Sequence, residues 1–118
     1  MIGASSRQER PSNGVLRYLV QVGYEVVPVH PNEREVEGIT CYPSLSAAVD
    51  ATGPVDIVDV FRRAEACPEH AREAVMVGAR CLWLQLGIVS LEAAGIAADA
   101  GLAVVMDRCI MVDHRRLL

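Results

Sequence analysis

Val55-Asp56-Ile57-Val58-Asp59-Val60-Phe61 is a run rich in β-branched residues, set off from what precedes it by Gly53-Pro54. It reads as a strand bounded by turn chemistry. Pro68 suits the first turn of a helix that runs to about Val77, and Gly78 closes it at the position where left-handed backbone is needed. Cys81-Leu82-Trp83-Leu84-Gln85-Leu86 then forms a second apolar run. Two such strands joined by a helix of about ten residues make a βαβ unit, which implies a parallel sheet.

The same rhythm extends in both directions. Ser12 or Asn13 is expected to cap a helix whose apolar positions are Val15, Leu16, Leu19, Val20 and Val22. Gly23 ends it, and Tyr24 to Val29 reads as a strand stopped by Pro31. Downstream, Ser90 caps a helix to about Ala100, Gly101 closes it, and Leu102 to Met106 reads as the last clear strand. Val22-Gly23-Tyr24, Val77-Gly78-Ala79 and Ala100-Gly101-Leu102 are one helix-to-strand joint used three times. Between residues 32 and 50 the pattern is less regular, with a short strand at Gly38 to Cys41 and a short helix at Ser44 to Asp50. Cys109 to Val112 reads as a short edge strand, and His114 lies in a tail among Asp113, Arg115 and Arg116. The expected architecture is α/β: a three-layer Rossmann-like fold with a mostly parallel sheet of about five strands and helices on both faces.

The start is unusual. Met1-Ile2-Gly3 is too short for a central parallel strand, which usually needs about five residues. The reading expects a single domain over residues 1–118 whose first strand is cut short, either because native residues precede Met1 or because the start is misassigned.

Composition narrows the function. The 118 residues are 52% hydrophobic and 22% charged, so disorder is excluded. No apolar run approaches the roughly 20 residues of a membrane span, and no signal peptide is evident at the start. The net charge of -4 argues against a dedicated nucleic-acid binder. Cys41, Cys67, Cys81 and Cys109 show no CxxC spacing, which weakens zinc and thioredoxin-like readings and suits a reduced cytoplasmic protein. No His/Asp/Glu set has metal-ligand spacing.

All the side-chain cations are arginine: eleven Arg and no Lys. Coding bias explains the absence of Lys, but it does not explain placement. Ligands of open parallel sheets bind beyond the strand carboxyl ends. On that edge fall Arg7, Arg10, Arg34, Arg62, Arg63 and Arg108, six of the eleven. Such a rim suits a polyanionic ligand held by guanidinium forks and a helix N-terminus. In the first loop Gly3 permits close backbone approach, while Ser5, Ser6, Ser12 and Asn13 offer donors for a phosphate or pyrophosphate. The dinucleotide fingerprint is incomplete, since Ser5 and Gln8 stand where its second and third glycines belong. The second strand ends on Val29-His30-Pro31-Asn32, without the carboxylate that binds ribose hydroxyls in ordinary NAD sites. This end is compatible with a nucleotide carrying an extra phosphate on its ribose. Asp59, inside a strand covered on both faces, reads either as a catalytic acid or base or, the reading favoured here, as a structural carboxylate near the strand end held by loop N–H groups or an Arg.

Gly3-Ala4-Ser5-Ser6, Arg10-Pro11-Ser12-Asn13, Val27-Pro28-Val29-His30-Pro31-Asn32, Cys41-Tyr42-Pro43-Ser44-Leu45, Val55 to Arg63, Leu82-Trp83-Leu84-Gln85-Leu86-Gly87 and Met106-Asp107-Arg108-Cys109 together resemble the small stand-alone CoA-binding proteins. These are Rossmann-like domains similar to the CoA-binding domain of the succinyl-CoA synthetase alpha subunit. The resemblance implies coenzyme A as the ligand. It places Ala4, Ser5, Ser6, Arg7 and Ser12 near the pyrophosphate, and Asn32 and Arg34 near the adenosine 3′-phosphate. Phe61, Arg62 and Arg63 would line the adenine or phosphate side, and Gln85, Leu86 and Gly87 the pantetheine path. The synthetase's second domain, with its phosphorylated His, has no counterpart here. The expected function is non-catalytic binding of CoA or an acyl-CoA. The alternatives are a nucleotide-dependent oxidoreductase or acyl-CoA-processing enzyme on the same fold, and a CoA-sensing regulatory module.

Overall fold

The computed structural model describes all 118 residues. In chain order the elements are α1 (Pro11–Gln21), β1 (Glu35–Val36), β2 (Ile39–Thr40), α2 (Leu45–Thr52), β3 (Ile57–Val60), a 3-10 turn (Ala64–Ala66), α3 (Cys67–Met76), β4 (Cys81–Leu84), α4 (Leu91–Asp99), β5 (Ala103–Val105) and α5 (Ile110–Leu117). β3, β4 and β5 form a parallel ladder with Ile57 opposite Cys81 and Cys81 opposite Ala103. β1 and β2 form a separate antiparallel pair.

The βαβ reading holds, but the sheet is smaller than the five strands expected. Beyond β3 it continues only through single parallel bridges: Val60 to Ile2, Ile2 to Val29, and Val29 to Tyr42. Proline is one cause. Pro28, Pro31 and Pro43 flank the bridging residues and lack the N–H that a ladder needs. Tyr24, Glu25 and Val26, expected to be strand, are reached by no bridge, the nearest being at Val29.

Two cores give three layers. Val58, Val60, Leu82 and Leu84 pack with Leu45 and Ala48 of α2, Ala71 and Ala74 of α3, and Ala93 and Ala97 of α4. The other face carries Met1, Ala4, and Val15, Leu16 and Leu19 of α1, with Ile110 and Met111 of α5 against them. That face is covered by two helices rather than three, so Cys81 and Trp83 on β4 stay half-buried while Leu82 and Leu84 are fully enclosed. Small residues on α3 and α4 let those helices approach the sheet closely.

The helix ends follow local chemistry. Ser44 and Ser90 cap α2 and α4, accepting from Ala47 N and Ala93 N at 3.1 Å. Gly23, Gly78 and Gly101 take positive φ at the three joints. Two boundaries differ from expectation. α1 starts at Pro11, with Arg10 as an N-cap that makes no side-chain bond, so neither Ser12 nor Asn13 is the cap. Cys109 to Val112 enters a helix rather than an edge strand. Gln85 Oε1 accepts from Ile110 N at 3.1 Å, Asp113 N reaches Cys109 O at 3.0 Å, and the apolar side chains turn onto the α1 face. The tail is therefore ordered: Tyr18 Oη and His114 Nδ1 lie 2.6 Å apart, and Arg108 forks onto Asp113 at 2.6 and 2.9 Å.

Candidate functional site

At the carboxyl edge of the sheet the chain turns sharply at Gly3, whose φ is +84°. A Cβ there would lie 2.4 Å from Phe61 O, so the close approach of the first loop to β3 requires glycine. Gly3 N and Ala4 N both bond Val29 O, at 2.9 and 3.3 Å. Those two N–H groups are therefore spent on the turn, and Ala4, fully buried, shapes the loop. Ser5 Oγ accepts from Arg7 N at 3.1 Å, and Ser6 N donates to a Glu33 carboxylate oxygen. The Ser6 contact holds the Glu33 carboxyl below its usual range.

Asn13 is a brace rather than an open donor. It is fully buried; its Nδ2 donates to Ser5 O (2.9 Å) and Glu37 Oε2 (3.1 Å), and its Oδ1 accepts from Arg17 Nε at 2.8 Å. Ser12 beside it is buried in the first turn of α1. Gln85 is buried too and pins Ile110 N. Of the polar residues expected to meet a ligand, Asn13 and Gln85 are thus engaged within the protein, bracing the loops around them. Gly87 N donates to Asp107 Oδ1 at 2.8 Å, which ties the loop after β4 to the loop after β5. Leu86, next to it, is 69% exposed, and Val89 and Leu91 extend this apolar lip.

The six rim arginines divide by pairing. Arg7 is joined to Glu9 and Arg108 to Asp113. Arg10, Arg34, Arg62 and Arg63 have no carboxylate within ion-pair distance. Arg10, Arg34 and Arg63 are exposed, and Arg62 is half-buried, as is Phe61 before it. Asn32 is exposed, and its N–H donates to His30 Nδ1 at 3.0 Å, so His30 shapes this loop.

A small cavity of about 180 Å³ sits on this edge, between Gly3, Pro31, Ser44, Arg62 and the His70–Glu73 pair. His70 Nδ1 lies 2.6 Å from Glu73 Oε1. The sequence signal for this contact is the spacing of His70, three residues ahead of Glu73 on one face of α3. Burial pushes the Cys41, Cys67 and Cys81 thiols up, which keeps them protonated and poorly nucleophilic. All four cysteines are free. No group of three or more His, Cys, Asp or Glu side chains is arranged to hold a metal ion. No helix is long and apolar enough to cross a membrane.

Asp59 departs from expectation. It is buried, and neither carboxylate oxygen has a hydrogen-bond partner, whether loop N–H or arginine. Burial pushes its pKa up to about 7, against a weaker opposing pull from the Met1 ammonium.

Comparison with known proteins gives consistent relatives. A family described as a CoA binding domain matches residues 1–115. The uncharacterized protein YneT of Bacillus subtilis (strain 168) is 39% identical over 114 residues, covering 97% of this chain and 82% of its own length. A solved structure of a hypothetical protein from Pyrococcus horikoshii OT3 superposes with a TM-score of 0.92 at 39% identity, over 98% of this chain and 80% of that one. A dinucleotide-forming acetyl-coenzyme A synthetase of Ca. Korarchaeum cryptofilum shares the fold alone, with a TM-score of 0.73 at 22% identity over 87% of this chain and 24% of that one.

Proposed function

This chain belongs to the CoA binding domain family, and we propose that it holds coenzyme A or an acyl-CoA at the carboxyl edge of its sheet without catalysing a reaction on it. The observation that carries the reading is the set of four rim arginines without carboxylate partners, on a chain of net charge -4. An exposed guanidinium left unpaired beside a ligand edge is available for a phosphate fork. Arg34 and Asn32 then serve the 3′-phosphate, and Arg62 and Arg63 the adenine side. Arg10, with the Ser5–Arg7 turn and the start of α1, serves the pyrophosphate. The exposed Leu86 and the Gly87 backbone suit the pantetheine arm, which is apolar with amide groups.

Calorimetry with CoA, dephospho-CoA and NAD tests this. CoA is expected to bind tightest. Loss of the 3′-phosphate should weaken binding on the order of 10- to 100-fold, the contribution of one or two charge-assisted hydrogen bonds. Equal affinity for all three, or none for any, overturns the reading. Turnover of NADPH or of an acyl-CoA by the purified chain would replace it with an enzymatic one.

A further inference from the structure

The small cavity of about 180 Å³ at the carboxyl edge is lined unevenly. Val29, Pro31 and Pro43 give it apolar walls, and the two prolines bring no N–H. Its polar groups come from three places: Arg62 in the loop after β3, His70 and Glu73 on α3, and the Ser44–Leu45 start of α2.

Two of these places call for an anion. The Arg62 side chain is half-buried and makes neither an ion pair nor a hydrogen bond within the chain. A cation drawn partly out of water without a partner is costly, and a carboxylate across the cavity offsets that cost. Leu45 N, the first amide of α2, also has no partner, because Ser44 Oγ accepts from Ala47 N instead. It adds a donor and the positive end of a helix.

His70 calls for the reverse. Its side chain is only 18% exposed, and its Nδ1 lies 2.6 Å from Glu73 Oε1. The carboxylate accepts there, so Nδ1 carries the proton and Nε2 of the neutral ring is an acceptor. Nε2 has no partner in the chain. What meets it has to donate, as a hydroxyl does. A second carboxylate on the ligand would instead face the charge of Glu73. The cavity thus asks for one carboxylate, one hydroxyl and a short stretch of hydrocarbon between prolines. Its size agrees. A protein cavity of about 150 Å³ holds benzene, with about six heavy atoms, so this one takes about seven.

We propose that this cavity is a binding site for a short aliphatic hydroxycarboxylate, its carboxylate on Arg62 and Leu45 N and its hydroxyl donating to His70 Nε2, with Glu73 as the positioning residue that fixes the ring. The site goes beyond CoA binding and does not rest on it. A guanidinium has five N–H donors, so Arg62 serves the cavity while Arg63 stays on the adenine side.

NMR titration of the 118-residue protein with 2-hydroxybutyrate, 3-hydroxybutyrate, butyrate and inorganic phosphate tests the proposal. At least one hydroxybutyrate is expected to shift the Leu45 amide and the His70 ring resonances, saturably, by about 20 mM. Butyrate, which lacks the hydroxyl, should bind on the order of 10-fold more weakly. Arg62→Gln should weaken the hydroxy acid on the order of 10- to 100-fold. His70→Ala should remove the preference over butyrate while leaving butyrate binding in place, which a merely structural His70 would not do. His70→Phe, which keeps the ring volume, repeats that test should the alanine variant unfold. The proposal is overturned if neither hydroxybutyrate shifts these resonances, or if butyrate or phosphate binds as tightly. It is also overturned if saturating CoA abolishes the shifts, since the cavity would then belong to the CoA site. A chain that binds the hydroxy acid but not CoA leaves this site standing and removes the CoA reading alone.

Discussion

Replacing Asp59 with Asn should make the protein progressively more stable than the parent as pH rises. The two should be nearly equal at about pH 4, near the ordinary carboxyl pKa. The parent carries a carboxyl whose folded pKa is about 7, raised by burial from 3.8. A raised acid favours the folded state when protonated. Its contribution is whole below about pH 4, where both folded and unfolded chains hold the proton. It is lost between about pH 4 and 7, where the unfolded chain ionises freely and the folded one resists. The interval from 3.8 to about 7, at about 1.36 kcal/mol per pH unit, bounds the loss at about 4 kcal/mol. The amide of the Asp59→Asn variant cannot ionise, so the variant escapes that loss.

The Met1 ammonium works in the other direction. Its folded pKa is lowered, so its contribution is present at high pH and lost as pH falls from 8.0. The raw pH profile of either protein mixes both groups, and the difference between the two proteins reports Asp59 together with its coulombic coupling to the Met1 ammonium. Urea denaturation followed through Trp83, the single Trp, gives that difference at each pH from about 4 to 8. A variant-minus-parent difference that stays flat across about pH 4 to 7 refutes the assignment of an unpartnered, desolvated carboxyl. So does a difference that runs downward with pH, which would mean that Asp59 is held as a carboxylate by a donor.

Other substitutions separate the fold from the rim. Gly3→Ala sets a Cβ 2.4 Å from Phe61 O at a φ of +84°, and should cost at least about 2 kcal/mol in chemical denaturation. Asn13→Ala removes the brace between Ser5 O, Glu37 and Arg17. It should cost about 1–3 kcal/mol in chemical denaturation and, on the proposed function, weaken CoA binding measured by calorimetry. Ser90→Ala removes the cap of α4 and should cost about 1 kcal/mol by denaturation, with CoA affinity unchanged.

How far the sequence reaches can be argued from particular residues. Gly78 between Val77 and Ala79, and Ser90 ahead of Leu91, were legible because local chemistry decides them: a left-handed backbone needs glycine, and an exposed first turn needs a side-chain acceptor. Cys109 to Val112 was not legible, because four apolar residues suit an edge strand and a half-buried helix equally well. A distant residue, Gln85, settles the matter by accepting from Ile110 N. Asn13 shows the same limit from the other side. A polar residue at a helix start reads as an open donor until its three partners are known, and those come from Ser5, Arg17 and Glu37. Charge placement along the chain locates Arg10, Arg34, Arg62 and Arg63 on one edge, because the ends of successive parallel strands share an edge by topology. Which arginines are free depends on carboxylates such as Glu9 and Asp113, and so on side-chain geometry that only the folded chain supplies. A rim of this kind is therefore specified twice: topology gathers the cations, and selective pairing decides which of them stay without a carboxylate partner.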